Sequence, residues 1–276
     1  MGLFDAFGYT GKRALVVGGT TGMGAAVAEL AQDAGADVVI MDIAEPSLTG
    51  ARYIQVNMAD KDSIDRALDG LGGPVDALFS CAGVADGTPG IEKINFIGHR
   101  HMIDRLLAEG GLPSGSAIGF ISSAAGLGWE SNLDRLKDYL ATTDFDAAVK
   151  WVEQNGGADY MSTKQAIYAY VSSVAFALLK KGVRINAICP GPTDTPLAQA
   201  NKELWLGFAS DYRAELGLEP STPLEQAYPL VFLCSDAAVA ITGHILVTDV
   251  GYFAAGLTEA YPPATDIAKF LTGRLT

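Results

Sequence analysis

The chain has 276 residues, 49% of them apolar, which suits one large α/β domain or two small ones with a substantial core. A formal net charge of −13 argues against nucleic acid or an anionic membrane as a partner. No apolar run reaches the ~18 residues that a membrane span needs. The opening MGLFDAFGYTGKR carries no signal-peptide apolar region, and Ala6 stands where a myristoylation signal wants Ser or Thr. Arg13–Val17 is a short β-branched run that predicts a strand. A glycine-rich turn follows, Gly18-Gly19-Thr20-Thr21-Gly22-Met23-Gly24, and opens a helix over 22–34. The next strand, 37–41, ends in Asp42. Runs at 53–56, 77–79, 117–121, 183–187 and 245–247 read as further strands, and 61–68, 92–109, 162–180 and 224–234 as helices. The strands are apolar on both faces, as in a parallel sheet covered by helices. Alternation of β and α elements without a linker or repeat predicts a single doubly wound Rossmann-type α/β domain over 1–276.

Two segments break the alternation. Only IAEPSLTGAR separates Asp42 from the third strand, too little for a crossover helix of about a dozen residues. The stretch 127–157 contains LDRLKDYLATTDFDAAVKWVEQN, with Leu133, Leu136, Tyr139, Leu140 and then Phe145, Ala148, Val149, Val152 at helical spacing. This predicts an insertion of two short helices that either packs on the core or shapes the substrate mouth or an oligomer interface. The three cysteines, Cys81, Cys189 and Cys234, are too widely spaced for a disulfide framework or a zinc site. They are expected to be buried thiols of a protein in a reducing, cytoplasmic compartment. His99 and His101 stand two apart on a helix and face different ways, so no metal is expected there.

Gly18, Gly22 and Gly24 follow a strand and open a helix, the context in which backbone can approach a pyrophosphate and free N–H groups can bind its charge. Asp42 closes the second strand about twenty residues on, where a carboxylate bonds the adenosine ribose hydroxyls and repels a 2′-phosphate. Thr20, Thr21 and Met23 fill the turn without an Arg or Lys to receive that phosphate, so the expected cofactor is NAD and not NADP. Far downstream, Tyr160 and Lys164 stand four apart in DYMSTKQAIYAYV, which brings their Cβ atoms to roughly 5–6 Å on one helix face. A phenol ordinarily ionises near ~10, and an ammonium one turn away favours the phenolate. Tyr160 is therefore a candidate general base for an alcohol.

These residues resemble the short-chain dehydrogenase/reductase family over nearly the whole chain. The family's GxxxGxG stands as Gly18, Gly22 and Gly24. Its Asn-Ala-Gly element reads Cys81-Ala82-Gly83, and Asn57-Met58 stands where Asp-Val is common beside adenine. The resemblance implies that Ser123 in ISSAAG is the catalytic serine and Asn95 in KINFIGHR the helix asparagine, completing a tetrad with Tyr160 and Lys164. It also implies that Lys164 holds the nicotinamide ribose and that Asn95 holds a water linking Lys164 to solvent. In Pro190-Gly191-Pro192-Thr193-Asp194-Thr195, the Thr193 backbone and the Thr195 hydroxyl would anchor the carboxamide. The insertion before Tyr160 and the short segment after Asp42 resemble the bacterial 3α-hydroxysteroid dehydrogenase/carbonyl reductase branch, a layout shared by some coniferyl-alcohol dehydrogenases. The segment 196–222, rich in Leu204, Trp205, Leu206, Phe208 and Tyr212, either packs on the core or forms an apolar lid, to which Tyr252 and Phe253 would add. The expected substrate is a hydrophobic alcohol or ketone, steroid- or terpenoid-like. The alternatives are an aryl or allylic alcohol dehydrogenase and a nucleotide-binding regulator without turnover. The family's habit implies a homo-oligomer, dimer or tetramer.

Overall fold

Seven strands, the central ones apolar on both faces, pair in parallel throughout. In the computed structural model, which describes residues 2–274, they are β1 (Arg13–Val17), β2 (Asp37–Asp42), β3 (Arg52–Gln55), β4 (Ala77–Ser80), β5 (Ala117–Ile121), β6 (Arg184–Pro190) and β7 (Ile245–Thr248). Their order is β3-β2-β1-β4-β5-β6-β7. The chain winds outward from β1 and returns at β4, so a crevice opens beyond the carboxyl ends of these two strands, where such sheets bind ligands.

The helices are α1 (Leu3–Phe7), α2 (Gly22–Asp33), α3 (Lys61–Asp69), α4 (Gly98–Ala108), α5 (Leu133–Leu140), α6 (Phe145–Gln154), α7 (Tyr160–Leu179), α8 (Pro196–Ala200), α9 (Lys202–Trp205), α10 (Ser210–Leu216), α11 (Pro223–Cys234), α12 (Tyr252–Leu257) and α13 (Thr265–Leu271). Side chains alternate across the strands. Leu15, Val17, Leu78 and Phe120 pack with Ile64, Ile103 and Val171 of α3, α4 and α7. Val16, Ile40 and Phe79 pack with Val27 of α2 and Leu230 of α11 on the opposite face. The result is the expected doubly wound single domain. Among the described residues no helix is long and apolar enough to cross a membrane.

The expected gap after Asp42 is real, since no helix separates β2 from β3. The two insertion helices also form as expected, as α5 and α6. Leu136, Tyr139, Phe145, Ala148 and Val152 join the same core as α4 and α7, and Tyr139 stacks on Trp151 at 4.9 Å and packs on Phe96 at 5.4 Å. Of the two readings left open for the insertion, core packing describes these side chains.

Most boundaries fall within one residue of expectation, and three differences are larger. The helix expected over 92–109 is widened near its start into a π-helical turn, Lys93–Ile97, and continues as α4. A β-carbon at Gly98 would stand 2.5 Å from the Met58 carbonyl oxygen and 2.9 Å from that of Lys93, so the widened turn and the missing side chain let two backbones meet. Helix α7 starts at Tyr160, two residues early. The Asp159 carboxylate accepts the Ser162 N–H at 2.7 Å, and Ser162 Oγ accepts the Asp159 N–H at 2.9 Å, a reciprocal cap that fixes the first turn. Strand β6 runs on to Pro190, three residues past its expected end.

Candidate active site

The crevice is built first by the glycine turn. Gly18 has φ +82°, and a β-carbon there would lie 2.4 Å from the Ala82 backbone. At Gly24 it would lie 2.0 Å from the Gly18 carbonyl oxygen. Only bare backbone fits at both places. Thr21 precedes α2 without a side-chain cap, which leaves the first N–H groups of that helix facing the crevice. Asp42 closes the far end. Its Oδ2 accepts the Thr20 N–H at 2.9 Å and its Oδ1 the Ile43 N–H at 2.7 Å. The cleft holds about 270 Å³. Gly18, Thr21, Gly22, Met23 and Gly24 line one side, with Asp42, Asn57 and Met58 at one end, and Cys81, Ala82, Gly83 and Thr195 also on its wall. Thr20 turns its hydroxyl to the Ala44 carbonyl at 2.9 Å and is not on that wall. A glycine cradle, an open helix start and a terminal carboxylate suit the pyrophosphate and ribose of a dinucleotide.

The floor at Ala82–Val84 is clamped from the helix behind it. Asn95, buried in the π-turn, accepts the Val84 N–H at 2.8 Å and donates to the Val84 carbonyl at 3.1 Å and to Thr163 Oγ1 at 3.3 Å. His99, one turn on, places Nε2 3.0 Å from the Ala82 carbonyl oxygen. A carbonyl only accepts, so Nε2 carries the proton, and Nδ1 is left without a partner among the described residues. Burial pushes His99 down to about 4, partly offset by the Ala82 bond. A β-carbon at Gly83 would stand 3.5 Å from Asn95 Oδ1 and 3.9 Å from Lys164 Nζ, so the clamp sets the loop directly beside the lysine. Cys81 is half-buried and not sealed in the core as expected.

Ser123, Tyr160 and Lys164 come together beyond β5. Ser123 Oγ accepts the Ala125 N–H at 3.2 Å and caps a short 3-10 turn, Ala124–Gly126, and its hydroxyl lies near enough to the Tyr160 phenol to favour the phenolate. Lys164 is buried, donates to the Ile121 carbonyl at 3.2 Å and lies 5.4 Å from the Tyr160 ring centroid. Burial pushes the Tyr160 phenol up to about 12, against the pull of the Ser123 hydroxyl. Burial likewise brings Lys164 down to about 8. Desolvation of the phenol, and not the expected help from the ammonium, sets this direction. Two further contacts hold the tyrosine. Asp86 Oδ1 accepts its backbone N–H at 3.2 Å, and the Trp205 ring lies over its own, 5.0 Å between centroids at 40°.

The Pro-Gly segment divides. Thr195 is on the cleft wall, buried, and its Oγ1 accepts the Ala198 N–H at 3.1 Å, capping α8. Pro190 ends β6, and Gly191 donates its N–H to the Thr248 carbonyl at 3.1 Å. Thr193 is buried, bridges Ser221 in parallel and turns its hydroxyl to the Gly191 carbonyl at 2.9 Å. These three lie off the cleft wall.

Comparison with known proteins accounts for this arrangement. Residues 12–128 match the family profile described as short chain dehydrogenase, and residues 138–253 the profile described as enoyl-(acyl carrier protein) reductase. The chain belongs to the short-chain dehydrogenase/reductase family. It is 27% identical to a coniferyl-alcohol dehydrogenase of Pseudomonas sp. strain HR199 over 88% of this chain and 96% of that one. It is 29% identical to a cis-4-hydroxycyclohexanecarboxylate dehydrogenase of Sinomonas cyclohexanicum over 87% and 96%. Among solved structures, the 3-alpha-hydroxysteroid dehydrogenase from Pseudomonas sp. B-0831 complexed with NADH superposes with a TM-score of 0.69 at 26% identity, covering 90% of this chain and 98% of that one. As a short-chain dehydrogenase/reductase, the protein is an oxidoreductase acting on CH–OH groups, in a family that works with NAD or NADP.

Three contacts of this dehydrogenase were not read from its sequence. His99 could have been, because it follows Asn95 by four residues and so shares its helix face. Asp86 carries no local signal, and the pairing of Trp205 with Tyr160 joins residues far apart in the chain.

Proposed function

We propose that this protein is an NAD-dependent dehydrogenase that interconverts a secondary alcohol and a ketone on a bulky hydrophobic substrate, steroid- or terpenoid-like. The observation that carries this reading is the grouping of Ser123 and Lys164 about the Tyr160 phenol, with Lys164 bonded to the carbonyl of Ile121, a residue that lines the cleft closed by Asp42. Bound NAD supplies the hydride acceptor. Tyr160 takes the hydroxyl proton as general base. Ser123 donates to the substrate oxygen and orients it. Lys164, when protonated, places a cation beside the phenol and lowers the cost of the phenolate. Asn95 and His99 hold Ala82–Val84 in place against Lys164. With the Asn95 amide committed to Val84 and Thr163, a water between Lys164 and solvent has to rest on its main-chain carbonyl. The Asp42 carboxylate favours NAD over a 2′-phosphorylated dinucleotide.

Apolar Leu197 on the cleft wall and Trp205 over Tyr160 support a hydrophobic substrate. The likeness to a coniferyl-alcohol dehydrogenase, together with that aromatic stack, favours an aryl or allylic alcohol as the second reading. We further propose a homodimer or tetramer whose contacts form over or around α5 and α6, since α5 covers part of α7 and α6 packs against α5.

An absorbance screen with NAD and NADP over steroid, terpenoid and aryl alcohols separates the two substrate readings. Tyr160→Phe is expected to keep NADH binding and to lose turnover roughly 100- to 10,000-fold. A near-normal rate in that variant would remove Tyr160 from proton transfer. NADH binding by the native protein with no turnover on any alcohol would favour a regulator.

A further inference from the structure

The segment 196–222 places its aromatic rings in two different environments. Phe208 and Tyr212 pack into the tail, with ring centroids 5.2 and 5.5 Å from that of Tyr252. Trp205 instead lies over Tyr160, 5.0 Å from centroid to centroid at 40°. The backbone just downstream of Trp205 is pinned. The buried Arg213 guanidinium donates to the Leu206 carbonyl at 2.5 Å and to the Phe208 carbonyl at 2.7 Å. Upstream, Lys202, Glu203 and Leu204 are exposed, and α9 buries none of its residues. The indole is a flap with a fixed base, half-exposed above the phenol.

Aromatic pairs sit with centroids about 4.5–7 Å apart, so a third ring between these two would need roughly 9 Å or more. The observed 5.0 Å leaves no such room. A substrate ring that lies against the face of Tyr160 must therefore move the indole off the phenol. Loss of that stack is offset by a substrate that gives the indole another flat face to settle on. A ring that carries the hydroxyl does this, and an open chain does not.

Resting on the dehydrogenase reading above, we propose that Trp205 is a specificity-determining residue that selects secondary alcohols whose carbinol carbon lies within a ring. The indole leaves Tyr160 as the substrate enters and covers the outer face of the substrate ring. Apolar area covered between the indole and the substrate ring gives about a tenfold advantage over an open chain of equal carbon number.

The test compares cyclohexanol with 2-hexanol, both with NAD. The native enzyme is expected to prefer cyclohexanol by about tenfold in kcat/KM, Trp205→Ala to lose most of that preference through a raised cyclohexanol KM, and Trp205→Phe to keep most of it. A second measurement needs no turnover. Titration with cyclohexanone should change tryptophan fluorescence in the native protein and not in Trp205→Phe, which retains Trp129 and Trp151. Turnover with the same preference in Trp205→Ala, or an equal fluorescence change in Trp205→Phe, overturns the role of Trp205 and leaves the dehydrogenase reading standing. Absence of turnover on every alcohol tried, with either dinucleotide, sinks both.

Discussion

Asp42 does two jobs with one carboxylate. It accepts the Thr20 N–H at 2.9 Å and the Ile43 N–H at 2.7 Å, so it shapes the glycine turn as well as facing the cleft. An ionised carboxylate offers about four acceptor sites, which leaves room for ribose hydroxyls. Asp42→Ala removes the repulsion of a 2′-phosphate and also unpairs the turn. We expect the ratio of kcat/KM for NAD to that for NADP to fall about tenfold or more, together with a drop in thermal midpoint of several degrees. Steady-state kinetics with both dinucleotides and a melting curve check the two effects separately. Unchanged cofactor preference would remove Asp42 from ribose recognition. The position of Asp42 was legible because a strand end about twenty residues past the turn is a fixed distance in this fold. Its bond to Thr20 was not, because it depends on the register that sets Val17 beside Met41. The charge state of the phenol was also illegible. A four-residue step reports the nearness of Lys164, whereas the push to about 12 comes from burial by residues scattered along the chain.

The insertion shows what periodicity can and cannot convey. Leu133, Leu136, Tyr139 and Leu140, then Phe145, Ala148 and Val152, repeat at the helical period, and the helices form where that pattern lies. The π-turn ahead of α4 has no such pattern, because it answers to the Met58 carbonyl of another segment. Helices α8 to α10, α12 and α13 are too short for an apolar stripe to declare itself. The hydrophobic run at 196–222 was legible, yet its division of labour was not: Phe208 and Tyr212 hold the tail while Trp205 meets the phenol. Because Tyr139 ties α5 to Trp151 of α6 and to Phe96, Tyr139→Ala is expected to cost about 3–5 kcal/mol of unfolding free energy. Urea denaturation measures this. A loss under about 1 kcal/mol would mean that the insertion is a loosely held appendage.

The molecule as a whole carries an acid-sensitive group in its core. His99 is neutral and pushed from an ordinary 6.5 to about 4, so between those values the unfolded chain binds the extra proton. Its stability contribution is complete above pH 6.5 and is lost as pH falls toward about 4. The loss reaches about 3 kcal/mol. Asp65, pushed up by burial but held down to about 2 by its bonds to His101, Lys61 and Arg105, adds a further loss as pH falls below 3.8. His99→Gln keeps a donor for the Ala82 carbonyl but cannot titrate. Unfolding midpoints in urea are expected to slope with pH across the upper window in the native protein and to flatten there in the variant. Equal slopes would show that other groups govern acid stability.

The carboxyl ends of the strands gather the glycine turn, Asp42, the Ala82–Val84 loop, Ser123 and Thr195, so the amino ends are left with purely architectural duties. There Gly115 donates its N–H to Gly182 at 2.9 Å beside exposed Lys180 and Lys181. That rim is the natural place to graft a handle: anchored from below, the molecule would present its open mouth to the surrounding solution.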